Sequence, residues 1–223
     1  MVTAFPSVRR QTTSMVLSLV LALGCGSDDE RIATGVDLQV DRAATEATLQ
    51  LSEEDFAPDD CAVIEGAVAA PGRRRLLRFD TVVVNRGTED LVVGDPDDPE
   101  PPFAPEDFEL SPCHGHHHFL GFADYTLVDR AGRVVGHGHK QSFCMTDSRR
   151  YLGDRPRRYD CDFQGISVGW GDRYGAELDG QWVDVTGIAP GAYTLVVTVN
   201  PEGTLPERAG GAPNVIRVAV TIP

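Results

Sequence analysis

The 223-residue chain has no segment with a sustained helical period, no internal repeat and no apolar run long enough to span a bilayer as a mature helix. The first absence argues against a helical bundle, the second against a repeat array and the third against a membrane-spanning helix. Positive charge is also scarce: 20 lysines and arginines stand against 34 aspartates and glutamates, a net charge of −14. That balance argues against nucleic acid as a partner. It favours cationic ligands, amines among them, through a long-range attraction that salt weakens. Histidine is rare as well, six in all, and four of the six fall within five residues.

Those four lie in Cys113-His114-Gly115-His116-His117-His118. In an extended segment side chains alternate between faces, so His114, His116 and His118 share one face while Cys113, Gly115 and His117 take the other. Three imidazoles on one face suffice to hold one metal ion. Imidazole suits copper, zinc, iron and nickel, and Cu(II) accepts three nitrogens plus solvent in a tetragonal arrangement. The plain alternative is a solvated histidine-rich tract. The segment lies mid-chain, directly before the apolar, strand-like run Phe119 to Val128.

Around it the pattern is one of short strands broken by turns, and an all-β, sandwich-like single domain over residues 35–223 is expected. Candidate strands are Val36–Val40, Ala47–Leu51, Leu76–Asn85, Leu91–Gly94, His118–Val128, Arg133–His137, Gln141–Met145, Gln181–Val185, Tyr193–Asn200 and Val215–Ile222. Their valines supply the β-branched side chains that strands favour. Two long irregular loops are expected, a proline-rich acidic one over residues 94–105 and another over 148–158.

The first 24 residues read as an export signal: Arg9 and Arg10, then the apolar run Met15 to Leu23, which has the length of a signal-peptide core. Ala22-Leu23-Gly24-Cys25 resembles a bacterial lipobox, in which Cys25 is lipidated, with residues 25–34 as a polar tether. The expectation is an exported cell-envelope lipoprotein that meets the membrane through its lipid anchor only. A soluble signal peptide with an incidental cysteine is the alternative. Without residues 1–24, 18 basic residues face 34 acidic ones, a net charge of −16. Cys61, Cys113, Cys144 and Cys161 then remain, an even count that suggests two disulfides with three possible connectivities.

Several ordered motifs resemble one family, the copper-dependent lysyl oxidases, in a bacterial form. Cys113, His114, His116 and His118 match that family's Cys-His-x-His-x-His. Gly138-His139-Lys140-Gln141-Ser142-Phe143-Cys144 resembles its Gly-His-Lys-Ala-Ser-Phe-Cys. Arg157-Arg158-Tyr159-Asp160-Cys161, Gly165-Ile166-Ser167 and the run Asp172-Arg173-Tyr174-Gly175 to Thr186 follow in register. Pro190-Gly191-Ala192-Tyr193 and Val199-Asn200-Pro201 continue it, and Arg75 to Phe79 and Asn85-Arg86-Gly87 fit upstream.

The resemblance implies a cofactor made from the protein itself. Copper and dioxygen oxidise Tyr174 to a quinone, and Lys140 adds to the ring to give lysine tyrosylquinone. A primary amine, small or a protein lysine, condenses with it as a Schiff base, and a base removes the α-proton. An aldehyde, ammonia and hydrogen peroxide are released, with dioxygen as the oxidant. The lysine must be neutral to attack, which partial burial favours. The quinone is the electrophile that side chains otherwise lack. The resemblance also implies a Cys113–Cys161 disulfide, leaving Cys144 for Cys61. His139 is either a support for the metal site or an ordinary strand residue, while His117 and His137 read as structural or solvated.

The chain departs from the animal pattern at Leu110 and Ser111, at Gly169-Trp170-Gly171 and at Gly180. Asp124 stands near a histidine often proposed as the base there, and a carboxylate raised by burial can serve that role; a solvated strand aspartate is the alternative. Animal members can also hold calcium. Asp37, Glu207 and Asn214 fall near the relevant places, while a further acid is missing around Ala209. Two other readings use the histidines alone. One is a three-histidine zinc hydrolase, and the other a non-enzymatic copper-binding lipoprotein.

Overall fold

The computed structural model describes Met1 and residues 35–138, 143–208 and 214–223. The expected leader, tether and Cys25, together with His139 and Lys140, lie outside the described residues. In chain order the elements are β1 (Leu38–Val40), α1 (Arg42–Thr48), β2 (Gln50–Phe56), α2 (Cys61–Ile64), β3 (Gly72–Arg78), β4 (Thr81–Asn85) and β5 (Leu91–Gly94). A 3-10 turn (Pro105–Asp107) leads into β6 (Phe108–Leu110), β7 (His117–Phe119), β8 (Ala123–Val128), β9 (Val134–His137) and β10 (Arg149–Arg150). Then come β11 (Gln164–Ile166), β12 (Trp170–Tyr174), β13 (Trp182–Asp184), β14 (Gly191–Val199) and β15 (Val215–Ile222).

The all-β expectation holds, built as several small sheets around one main core. One sheet has the order β1-β4-β12-β10, another β15-β14-β8-β9 and a third β13-β3-β2, with β11-β5 and β6-β7 as two-stranded ribbons. Burial alternates residue by residue along β15, as a strand with one wet face requires. Every residue of β4 is buried, so Val82, Val83 and Val84 pack on both faces. Leu77, Phe79, Val83, Tyr125, Leu127, Leu195 and Tyr174 belong to one contiguous core. Trp182, Leu76, Phe56 and Ala62 form a smaller cluster beside α2. Among the described residues no helix is long and apolar enough to cross a membrane.

Several expected elements are corrected. Residues 42–48 form a helix where the sequence pattern shows no helical period. It spans two turns, too short for a period to register, and is started by Asp41, whose side chain accepts from Ala44 N. The run Leu76–Asn85 is two strands in different sheets. At the break, Thr45 Oγ1 donates to the Asp80 carbonyl and Asp80 N donates to Thr48 Oγ1, both at 2.8 Å, which takes Asp80 out of the ladder. His118–Val128 is likewise divided between β7 and β8, at Gly121 with φ +69°. Of Gln141–Met145, residues 141 and 142 lie outside the described residues, and Phe143 makes an isolated bridge to Phe119.

Candidate active site

The three histidines come together, but not by strand alternation. Only His117–Phe119 is strand; His114 and Gly115 lie in a loop that joins β6 to β7, whose register sets Leu110 opposite His117. Ser111 organises that loop. Its backbone N–H donates to His116 O at 3.1 Å, its carbonyl accepts from Gly115 N at 2.9 Å and its hydroxyl oxygen accepts from His114 N at 3.0 Å. The Ser111 hydroxyl in turn donates to Glu65, just after α2. Gly115 takes φ +69°, a value that favours glycine. The ring centroids then lie 5.7 Å (His114–His116), 5.2 Å (His114–His118) and 5.0 Å (His116–His118) apart. His114 Nδ1 is 3.3 Å from His118 Nε2. One nitrogen from each ring lies within 4.8 Å of the others. Metal–nitrogen bonds of about 2.0–2.1 Å need only a slight closure of such a set. The donors therefore fit a borderline metal such as copper or zinc.

The facing wall is β12. Register pairs Tyr174 with Thr81 of β4 and Asp172 with Val83, and residues two apart share a face. Tyr174 is buried, its ring packed against Phe143 with centroids 4.0 Å apart and against Phe122 at 5.5 Å. Its hydroxyl donates to Asp172 Oδ2 at 2.5 Å and lies 3.3 Å from the Cys144 carbonyl. Burial, then the neighbouring Asp172 charge, holds the phenol well above its ordinary value. Burial also pushes Asp172 up to about 6, against hydrogen bonds from the Tyr174 hydroxyl and from Thr146 N and Oγ1 that favour its charged form.

Both walls line one cavity of about 590 Å³, which the Cys144–Cys161 disulfide, Arg157, Glu177 and Asp179 also line. Arg173 is held by Asp80 at 2.7 Å and by Glu177 at 2.9 Å.

The disulfides differ from the pairing that the resemblance implies. Cys61 pairs with Cys113 and Cys144 with Cys161, at Cα separations of 5.9 and 5.2 Å. The reason is backbone proximity. Gly165 N donates to Met145 O and Asp147 N to Tyr159 O, so the 144 and 161 segments run side by side. The Ser111–Glu65 bond likewise ties the end of α2 to the segment bearing Cys113.

Asp124 lies on another strand. It sits on β8 opposite Thr198, on the face away from the buried Ala123 and Tyr125, and is not among the described residues lining the cavity. His117 Nδ1 lies 3.6 Å from Asp97, and His137 is exposed at an edge strand. For calcium, Glu207 accepts from Leu38 N at 3.0 Å, from Asn200 Nδ2 at 2.8 Å and from Asn214 Nδ2, while Asp37 accepts from Gln39 Nε2 at 3.1 Å. Asn214 Oδ1 is buried without a hydrogen-bond partner among the described residues, an oxygen donor of the kind calcium takes.

Two residues of the site escaped sequence reasoning. Asp172 was visible only as part of a motif, although an Asp-x-Tyr spacing on a strand places both side chains on one face. Ser111 was visible only as a departure from the animal pattern. A third signal was compositional: Lys140 is the only lysine in the chain.

Comparison with known proteins gives the family. The chain is 34% identical over 216 residues to lysyl oxidase homolog 2B of Danio rerio, covering 87% of this chain and 27% of that protein. It is 35% identical over 185 residues to human protein-lysine 6-oxidase, covering 77% of this chain and 42% of that protein. Against human lysyl oxidase homolog 1 the identity is 42% over 133 residues, 58% of this chain and 22% of that protein. The chain thus spans about a quarter of the length of the first of these relatives. The lysyl oxidase family model matches residues 37–220, a span that contains the histidine loop, Tyr174 and Lys140 alike. On that match, the chain belongs to the lysyl oxidase family.

Proposed function

We propose that this chain is a copper-dependent oxidase of primary amines, small amines or protein lysines, using a quinone built from Lys140 and Tyr174. The products are an aldehyde, ammonia and hydrogen peroxide, with dioxygen consumed. One observation carries the reading: three convergent imidazoles and a buried tyrosine bonded to a buried acid line the same cavity. Neither a zinc hydrolase nor a copper store has a use for that tyrosine.

His114, His116 and His118 would hold the copper, which supplies the electron-transfer chemistry that oxidises Tyr174 with dioxygen. The chain's own residues do the rest. Phe122 and Phe143 fix the plane of the Tyr174 ring and keep water from it. Lys140 brings the amine that joins the ring. The net charge of −14 would draw a substrate ammonium toward the protein at long range.

Export as a lipoprotein through Cys25 belongs to the same reading, and the two disulfides support it, since such bonds persist in oxidising compartments. The cluster of Asp37, Glu207 and Asn214 is the place for calcium in this reading, supported by Asn214 Oδ1, which is buried with no hydrogen-bond partner among the described residues. A rise in melting temperature with calcium, absent with magnesium, checks that assignment.

The deciding experiment is peptide mapping by mass spectrometry after maturation with copper and air. The peptide holding Lys140 should be joined to that holding Tyr174 at the mass of the quinone adduct. Folded, copper-loaded protein without that bond refutes the oxidase and leaves the copper-binding lipoprotein.

A further inference from the structure

We propose that Asp172 is the proton acceptor for the Tyr174 phenol when that ring is oxidised, an inference that rests on the quinone chemistry proposed above. Among the described residues, two oxygens lie near the Tyr174 hydroxyl: Asp172 Oδ2 at 2.5 Å and the Cys144 carbonyl at 3.3 Å. A peptide carbonyl is far too weak a base to take up the proton, whereas a carboxylate can accept it. Tyr174 is only 4% exposed and Asp172 only 2%, so the phenol has no ready exchange with bulk water.

Asp172 is placed for this work, and its burial has a cost. Burying a carboxylate is costly unless a cation pairs with it. No cation pairs with Asp172 among the described residues: the guanidinium of its neighbour Arg173 is committed to Asp80 and Glu177. What holds Asp172 is Thr146: its hydroxyl donates to Oδ1 at 3.2 Å and its backbone N–H to Oδ2 at 2.8 Å, while Oδ2 also accepts from the phenol.

The step balances. Withdrawal of electrons from the ring makes its O–H bond strongly acidic. That bond breaks, its electron pair stays on the phenolic oxygen and the proton bonds to Oδ2, turning the carboxylate into a neutral acid. Dioxygen, acting with copper, is the electron acceptor.

The test compares wild type with Asp172→Asn, each loaded with copper and exposed to air. Three quantities are read: copper per chain, melting temperature and the yield over time of the Lys140–Tyr174 cross-linked peptide. The expected result is full copper loading, a melting temperature at or above wild type and cross-link formation slowed at least 100-fold. Incorporating 3-fluorotyrosine at position 174, whose phenol sheds its proton more readily, should restore part of the rate in the Asp172→Asn background. Cross-linking at the wild-type rate overturns the proposal, as does slow cross-linking with a lowered melting temperature and no gain from 3-fluorotyrosine. Should Asp172→Asn fail to fold, Asp172→Glu and Asp172→Gln replace it: maturation in the first but not the second is expected, and equal rates refute the role. A wild type that forms no cross-link at all removes the quinone reading itself, a result that no variant is needed to see.

Discussion

His114, His116 and His118 are gathered by bonds that close within a few residues, those of Ser111 to His114, Gly115 and His116. Tyr174 and Asp172, across the cavity, depend on partners far away in the chain: Thr81 and Val83 in register, Phe122 and Phe143 against the ring, Thr146 on the carboxylate. The metal wall is a local turn on a short ribbon. The cofactor wall is the product of a packed sheet. A perturbation of the core should therefore reach the tyrosine before it reaches the histidines, and the two halves should be separable by mutation.

The strongest separation is Tyr174→Phe, which removes the atom to be oxidised and keeps the ring packing. Amine oxidation should fall by at least about 10³-fold, roughly 4 kcal/mol of barrier, and quinone absorbance should vanish. Metal analysis should still find copper bound at the wild-type ratio; its loss would mean that the two walls are not independent.

The converse is His116→Ala. Copper affinity should fall by more than about 100-fold, beyond the range seen for supporting residues of metal sites. The melting temperature of the metal-free protein should move little, since His116 is only partly buried; a large drop would show that the loop supports the core.

The stability cost of Asp172 sharpens the contrast, because it belongs to the cofactor wall alone. Its carboxyl is raised by burial from 3.8 to about 6. Between those values the unfolded chain has lost the proton and the folded chain keeps it, so stability falls as pH rises through that window and the full penalty stands above it. For a shift of this size the penalty is up to about 3 kcal/mol. Asp172→Asn should thus melt like wild type near pH 4 and above it by pH 7. Denaturant titrations at the two pH values measure the difference, and equal stability at both would remove the burial penalty from the account.

The smallest effect is on the metal wall. Ser111→Ala deletes the hydroxyl that accepts from His114 N and donates to Glu65. A loss of about 1–2 kcal/mol is expected, with copper affinity down by about 10-fold as the loop loosens. Calorimetry with and without copper checks both; an affinity unchanged from wild type would mean that the ring stacking alone orders the histidines.

The sequence carried the strand content well where local pattern and environment agree. Val215–Ile222 was readable from end to end because one face is wet and one dry, and Leu91–Gly94 because it is a short apolar run between turns. It failed at β12. Trp170-Gly171-Asp172-Arg173-Tyr174 lacks β-branched residues and alternation, and becomes a strand only because β4 and β10 flank it and offer their backbone groups. Asp124 stands near the place of the animal family's proposed base, with a solvated strand aspartate as the alternative; on β8 it alternates with the buried Ala123 and Tyr125 and is not among the described residues lining the cavity. Cysteine identity was legible and cysteine pairing was not, since three connectivities fit one count and only the side-by-side course of residues 144–147 and 159–165 selects among them.

Residue types and their spacing were enough to settle the all-β class and the family, because side-chain chemistry and ordered motifs are properties of the linear chain. Spacing was enough, too, to nominate three imidazoles for a metal, while Tyr174 and Lys140 came only with the resemblance to the family. Folding alone settled that the imidazoles converge through a turn, that Tyr174 lines their cavity and that a buried acid, with no cation beside it among the described residues, stands against its hydroxyl. Those facts are distances between segments remote in sequence, fixed by strand register and core packing, and no local pattern encodes them.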